Sequence, residues 1–182
     1  MKQYRIGRIA ATAVLMLGAL AVTGCLGDND PVDVDVNDGH VIGVGLRVAQ
    51  QHFNVAAFAE DSENTDLLTL TDSISTHAEA QFDAFLDLDI TVRETTLSQA
   101  IARQTSDIAN LLSIYTGEEF DRQYVQVLVD LYEQNIGIID EDLLTAVESP
   151  ELEAELQALR ATLVAEQLEV IALQTEIGPP ES

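Results

Sequence analysis

The chain has 182 residues, and its 32 acidic residues against eight lysines and arginines give a formal net charge of −24 at pH 7. So negative a protein repels phosphates and anionic headgroups, which excludes nucleic acid as a partner and direct electrostatic binding to an anionic membrane. Because 47% of the residues are hydrophobic, the chain is too apolar for a disordered acidic tail, and its length suits one folded domain.

The first 24 residues have the pattern of a bacterial lipoprotein signal peptide. Three basic residues precede an apolar run at 9–21, which is shorter than the roughly 20 residues that span a bilayer. Val-Thr-Gly then leads into Cys25, the only cysteine. We therefore predict a signal peptide at 1–24 and lipidation of the Cys25 sulfur, so the lipid anchor holds the protein at the membrane. Leu26, rather than aspartate, follows the cysteine, which favours the outer membrane.

Residues 25–40 predict a solvated tether between the lipid and the folded domain. Five aspartates lie in this segment, and its apolar residues show no helical period. Once residues 1–24 are removed, the cations that remain are five arginines and no lysine. The lipid must therefore supply the membrane attachment that the protein surface does not.

Apolar residues recur at helical spacing throughout 41–177, and no alternation typical of strands interrupts them. The predicted helices begin near Val41, Thr65, Thr96, Thr116 and Ser149. Thr96 with Gln99 has capping-box spacing, and Ser149 with Pro150 predicts a capped start for the last helix. Gly178 ends that helix before a tail at 178–182. Four long helices and a shorter connecting one predict an all-α fold, an antiparallel four-helix bundle.

One polar residue interrupts the apolar stripe of each long helix near its middle. These residues are His52, His77, Tyr132 and Gln167. A buried polar group costs a few kcal/mol unless it finds a partner, so we predict that the four meet in a core polar cluster that fixes the helix register. Alternatively, the four residues lie at similar depths in their helices by chance and do not touch.

A second alternative is a metal site in the core, where His52, His77 and Glu166 bind iron, zinc or another transition metal. In this interpretation the last helix is rotated by one residue, so that Glu166 takes the place of Gln167. Di-iron bundles carry Glu-x-x-His on two helices, and no histidine in this chain has glutamate three residues before it. We therefore predict no cofactor. The chain also lacks a Gly-x-Ser-x-Gly elbow, a phosphate loop and a His-Glu-x-x-His helix, so we assign no catalytic residue and predict a protein that is not an enzyme.

The run Gly117-Glu-Glu-Phe-Asp-Arg-Gln-Tyr124 resembles the Gly-x-x-Phe-Asp-Arg-x-Tyr signature of a bacterial ferritin-like family. The signature positions are Gly117, Phe120, Asp121 and Tyr124. The family is designated a domain of unknown function and described as predicted outer membrane protein, and the similarity covers about 41–175. It implies a ferritin-like bundle that is secreted or lipid-anchored.

Members similar to this chain carry three histidines, one of which His77 matches. Tyr132 stands at the second of these positions and Gln167, or Glu166, at the third, while His52 stands where many relatives have glutamate. The resemblance thus implies that any metal site of the family has lost two of its three histidines here. We predict a lipid-anchored, non-catalytic helical-bundle protein of the cell envelope with a binding or maintenance role. The sequence does not identify the protein or small-molecule partner. The alternative is a ferritin-like metal-binding or redox protein.

Overall fold

The computed structural model of the protein describes residues 34–180, and at positions 34–37 and 61 it describes the backbone alone. The predicted signal peptide, Cys25 and the first part of the tether lie outside these residues. The elements are α1 (Val34–Ala57), a 3₁₀ turn (Phe58–Asp61), α2 (Thr65–Leu86), α3 (Thr96–Leu112), α4 (Gly117–Ile138), a π-helical turn (Ile139–Leu143), α5 (Leu144–Ala146) and α6 (Pro150–Ile177). Between residues 34 and 180 there is no strand, which confirms the all-α prediction.

The first helix begins at Val34, so the domain boundary predicted at 41 is wrong and residues 34–40 are helix rather than tether. Asp38, assigned to the solvated tether, is buried. Its two carboxylate oxygens accept hydrogen bonds from the backbone N–H groups of Glu148 and Ser149, each at 3.0 Å. These two bonds offset the cost of burying the carboxylate, and they join the first helix to the start of the last.

Two glycines of α1 allow the connection between α2 and α3 to cross that helix closely. Arg93 N donates to the Gly39 carbonyl at 2.8 Å, and a Cβ at Gly39 would lie 2.6 Å from the carbonyl oxygen of Thr91. A Cβ at Gly43 would collide with the backbone carbonyl of Arg93. The absence of side chains at these two positions therefore places the connection, and α3 after it, against α1.

The third helix begins at Thr96, as predicted, but its capping pair differs by one residue from the prediction. The capping box is formed by Thr95 and Ser98 rather than by Thr96 and Gln99. Thr95 Oγ1 accepts from Ser98 N at 2.9 Å, and Ser98 Oγ accepts from Thr95 N at 2.8 Å. Because Ser98 is also buried, this reciprocal pair satisfies its hydroxyl as well as two backbone donors.

Both predicted ends of α6 are confirmed. Ser149 Oγ accepts from Leu152 N at 3.2 Å, Pro150 occupies the first turn, and the helix ends at Ile177 before Gly178, whose φ is +84°. Its predicted apolar stripe is buried at Leu152, Leu156, Leu159, Leu163, Val170 and Leu173.

The core lies between α1, α2, α4 and α6. α1 packs mainly on α2 and α3, while α6 packs mainly on α4 and α2. The π-helical turn after α4 lets Ile139 and Leu143 both reach the core. Among residues 34–180, no helix is both long and apolar enough to span a membrane.

Candidate functional site

The structure brings two of the four predicted polar residues into direct contact. His52 of α1 and Tyr132 of α4 are both buried, and their ring centroids are 4.6 Å apart. His77 of α2 lies at the edge of the same region with 52% of its side chain exposed. The prediction that all four residues are buried is therefore wrong for His77.

Glu166, rather than Gln167, is the α6 member of the cluster. Tyr132 donates its hydroxyl to Glu166 Oε2 at 3.0 Å, and His77 Nδ1 lies 2.9 Å from Glu166 Oε1. Glu166 is buried, whereas Gln167 is half-buried and its side chain makes no hydrogen bond within residues 34–180. The prediction of Gln167 is thus wrong by one residue.

Helical spacing alone does not separate these two positions. Glu166 lies three residues after the buried Leu163 and four before the buried Val170, while Gln167 lies four after the first and three before the second. Both spacings fit one helix face. The donors on α2 and α4 decide between them, because two donors aimed at one point satisfy both oxygens of a carboxylate.

Sequence reasoning missed the second half of the cluster, which consists of Gln51 and Asn135. Both are buried. Asn135 Nδ2 donates to Gln51 Oε1 and lies close to His52 Nε2, with each distance 3.0 Å. The available signal was that Asn135 follows Tyr132 by three residues and so shares its helix face. The two halves meet where the His52 ring lies against the Tyr132 ring.

A backbone carbonyl sets the proton position on His52. The carbonyl of Ile101 can only accept, so the Gln51 atom 3.3 Å from it is the NH₂ group, and Gln51 Oε1 then points to Asn135. Asn135 must present its own NH₂ to that oxygen, and the same NH₂ faces His52 Nε2. An amide NH₂ only donates, so Nε2 accepts and neutral His52 carries its proton on Nδ1.

The opposite orientation of Asn135 is less favourable. It would place the amide oxygen 3.0 Å from Gln51 Oε1, so that two acceptors faced each other. The assigned orientation leaves Asn135 Oδ1 without a hydrogen bond in the described part of the chain. One unpaired carbonyl oxygen costs less than two opposed ones in a buried site.

Burial controls the electrostatics of the cluster. It lowers the pKa of His52 to about 3, so this imidazole is neutral at pH 7. Burial also raises the pKa of Glu166, against the lowering effect of the hydrogen bonds from His77 and Tyr132. The pKa of Tyr132 is raised by burial and by the neighbouring Glu166, and so its hydroxyl keeps its proton and acts as a donor.

A cavity of about 10 Å³ adjoins the cluster, and His52, His77, Gln81 and Glu166 are among its lining residues. His52 Nδ1 and Gln81 Oε1 are buried and have no hydrogen-bond partner among the described residues. The first is a donor in the assigned tautomer and the second is an acceptor.

The donor set does not suit a transition metal. A metal at His52 would need a lone pair on Nδ1, which carries the proton, or on Nε2, which accepts from Asn135. Within residues 34–180, no three His, Cys, Asp or Glu side chains gather as a metal site. The alternative ligand set of His52, His77 and Glu166 therefore does not form.

Residues of the Gly117–Tyr124 run attach the start of α4 to α1 and to the segment that follows the 3₁₀ turn. Ser62 Oγ donates to Asp121 Oδ1 at 2.6 Å, and the Tyr124 hydroxyl donates to the Val55 carbonyl at 2.9 Å. The Phe120 ring stacks on Tyr124 with centroids 5.7 Å apart. Gly117 has a φ of +60°, which glycine adopts without strain at this sharp start of the helix. The side chains of this run thus have a structural role, and the hydrogen bonds of Asp121 and Tyr124 do not involve the polar cluster.

No family model, curated protein or solved structure matches the chain. The resemblance to the ferritin-like family therefore stays a prediction from the Gly117–Tyr124 run, and the proposed function rests on the geometry of the described residues together with the sequence.

Proposed function

We propose that this chain is a lipid-anchored, non-catalytic helical-bundle protein of the bacterial cell envelope, located on the outer membrane, with a binding or maintenance role. The signal-peptide pattern ahead of Cys25 supports the anchor. Because the chain carries 32 acidic residues, the lipid would have to supply the attachment to a membrane of anionic headgroups.

The finer architecture in this proposal is an antiparallel, ferritin-like four-helix bundle of α1, α2, α4 and α6, with α3 as the extra connecting helix. Its support is the neighbour order, since α1 packs on α2, α2 on α6 and α6 on α4. Through the contacts of Tyr124 with Val55 and of Asn135 with His52, α4 also packs against α1. Each of the four helices therefore has two neighbours, as in a four-helix bundle.

The hydrogen-bond chain from the Ile101 carbonyl to His52 carries the non-catalytic part of the proposal. It holds His52 neutral and uses Nε2 as an acceptor. Hydrogen bonds between buried side chains of different helices fix the packing of those helices, and this network offers no activated nucleophile to a substrate. The cluster therefore has a structural role, and binding takes place elsewhere on the molecule.

Replacement of the proposed lipid-bearing residue tests the anchor. Cys25→Ser should abolish lipidation, so the full-length protein should keep its signal peptide and leave the detergent phase on phase separation. Thr23→Ser is the matched control, because it preserves a small hydroxyl residue before the cysteine and should be processed normally. Unchanged processing and fractionation of Cys25→Ser would show that the protein is not a lipoprotein.

Metal analysis tests the non-metal part of the proposal against the ferritin-like redox alternative. We expect less than about one tenth of a metal ion per chain in protein purified without an affinity tag, given the donor set around His52. Stoichiometric iron, zinc, copper or manganese would replace the proposal with a metalloprotein. A retained metal that is lost in His52→Gln would further place it in the core.

A further inference from the structure

A groove of about 560 Å³ lies where the 3₁₀ turn, the end of α3 and the start of α4 meet, and it shares no lining residue with the cavity beside the polar cluster. This volume falls in the range of small-molecule sites, roughly 300 to 1,000 Å³. Its lining includes apolar residues, among them the buried Leu112. The segment 113–116, which connects α3 to α4, contributes to this lining, and α3 itself packs mainly on α1.

Aromatic rings are concentrated along this groove. The chain has five phenylalanines, four tyrosines and no tryptophan, and Phe58, Tyr115 and Phe120 all line the groove. Phe120 is held by its stacking on Tyr124, whose hydroxyl is fixed to the α1 backbone. This ring is therefore positioned before a ligand arrives. The face of an aromatic ring is negative and attracts cations.

The charged side chain that lines the groove, among the described residues, is also negative. Glu60 is exposed, and within residues 34–180 its carboxylate makes no hydrogen bond or ion pair. The surrounding protein carries a large excess of acidic residues, so an anionic ligand would be repelled from the groove and a cation attracted to it. Apolar side chains, aromatic rings and a carboxylate together complement a compact organic cation with an apolar body.

From this charge and shape complementarity we propose that the groove binds a small apolar organic cation, an aryl or alkyl ammonium compound. The cation lies against the ring faces of Tyr115 and Phe120 and within reach of Glu60, while its apolar part covers Leu112. This inference rests on the proposed binding function and gives it a ligand class. It does not depend on the lipid anchor.

Calorimetric titration of the processed full chain tests the proposal with two water-soluble probes of similar size and opposite charge, benzyltrimethylammonium and phenylmethanesulfonate. Titrations into detergent alone give the blank. The cation should bind at least about tenfold more tightly than the anion. Equal binding of the two probes, or no saturable binding of the cation, would overturn the proposal.

Two charge-neutralising variants distinguish the groove from the general field of the protein. Glu60→Gln should weaken binding of the cation by about threefold to fivefold, while Glu63→Gln, which removes the same charge from an exposed residue outside the lining, should change it by less than about twofold. Tyr115→Leu replaces the aromatic ring by an apolar side chain and should weaken binding of the cation by about twofold to fivefold. An equal loss in Glu60→Gln and Glu63→Gln would contradict the site. Success or failure here is separate from the fractionation of Cys25→Ser, which tests the anchor.

Discussion

Glu166 is the residue on which three helices converge, since Tyr132 of α4 and His77 of α2 both bond to its carboxylate on α6. These donors keep the buried carboxylate hydrogen-bonded on both oxygens. Its removal would leave the buried Tyr132 hydroxyl without an acceptor, and an orphaned buried polar group costs about 1 to 3 kcal/mol.

We therefore expect Glu166→Ala to lower the free energy of unfolding by about 1 to 3 kcal/mol, measured by urea denaturation at pH 7. The neighbouring Gln167→Ala is the matched control, because the Gln167 side chain is half-buried and makes no hydrogen bond within residues 34–180. It should change stability by less than about 0.5 kcal/mol. Equal costs for the two variants would mean that Glu166 is not the centre of the cluster.

The buried, neutral His52 makes stability depend on pH. Its pKa is near 6.5 in the unfolded chain and about 3 in the folded protein, so between these values the unfolded state binds one more proton. Stability from this group is therefore present above pH 6.5 and is lost as the pH falls toward 3. The maximum slope is about 1.4 kcal/mol per pH unit.

His52→Gln removes this titration, so the stability difference between the parent and the variant should shrink by about 2 kcal/mol from pH 7 to pH 5. Comparison of the two proteins at each pH cancels the contribution of the carboxylates that both share. An NMR titration of the parent gives the pKa of His52 directly. A difference in stability that stays constant from pH 7 to pH 5 would show that His52 is accessible to protons in the folded state.

At the scale of elements, the position of α3 depends on backbone contact with α1. Since the Arg93 carbonyl lies where a Cβ of Gly43 would be, any side chain at this position must push the connection away from the helix. Overpacking of this kind costs about 1 to 3 kcal/mol. We therefore expect Gly43→Ala to lower the melting temperature.

Gly137 of α4 offers the matched control for that substitution. It is also a helical glycine, but nothing lies within 4 Å of the position that its Cβ would take, so alanine there gains helix propensity without a clash. Gly137→Ala should stabilise the protein by about 0.5 to 1 kcal/mol. If both substitutions stabilise, the connection after α2 is not held against α1.

The elements could be predicted from sequence where local chemistry determines them. The start at Pro150 and the end at Ile177 follow from a cap and a breaker, and the start at Thr65 follows from the apolar spacing after it. The start at Val34 could not be found in this way, because Asp38 is stabilised by the N–H groups of residues 148 and 149, far along the chain. The pairing of Tyr132 with Glu166 likewise depends on how α4 and α6 are rotated, which the spacing of one helix does not determine.

At the scale of the whole molecule, charge is the dominant feature. Arg47, Arg122 and Arg160 each pair with a carboxylate in the described part of the chain, but the chain has far more acidic than basic residues. The exposed carboxylates on neighbouring helices therefore repel one another. In the folded protein this repulsion is stronger than in the expanded unfolded chain, because the charges are closer together.

Salt should relieve that repulsion. The screening length falls from about 10 Å at 0.1 M to about 3 Å at 1 M ionic strength, so we expect the melting temperature to rise between these sodium chloride concentrations. A variant with Glu79→Gln, Glu133→Gln and Glu176→Gln removes three exposed charges from α2, α4 and α6. It should melt higher than the parent at about 0.1 M salt and gain less from added salt. An identical salt increment in both proteins would mean that salt acts by strengthening apolar packing and that surface repulsion does not limit stability.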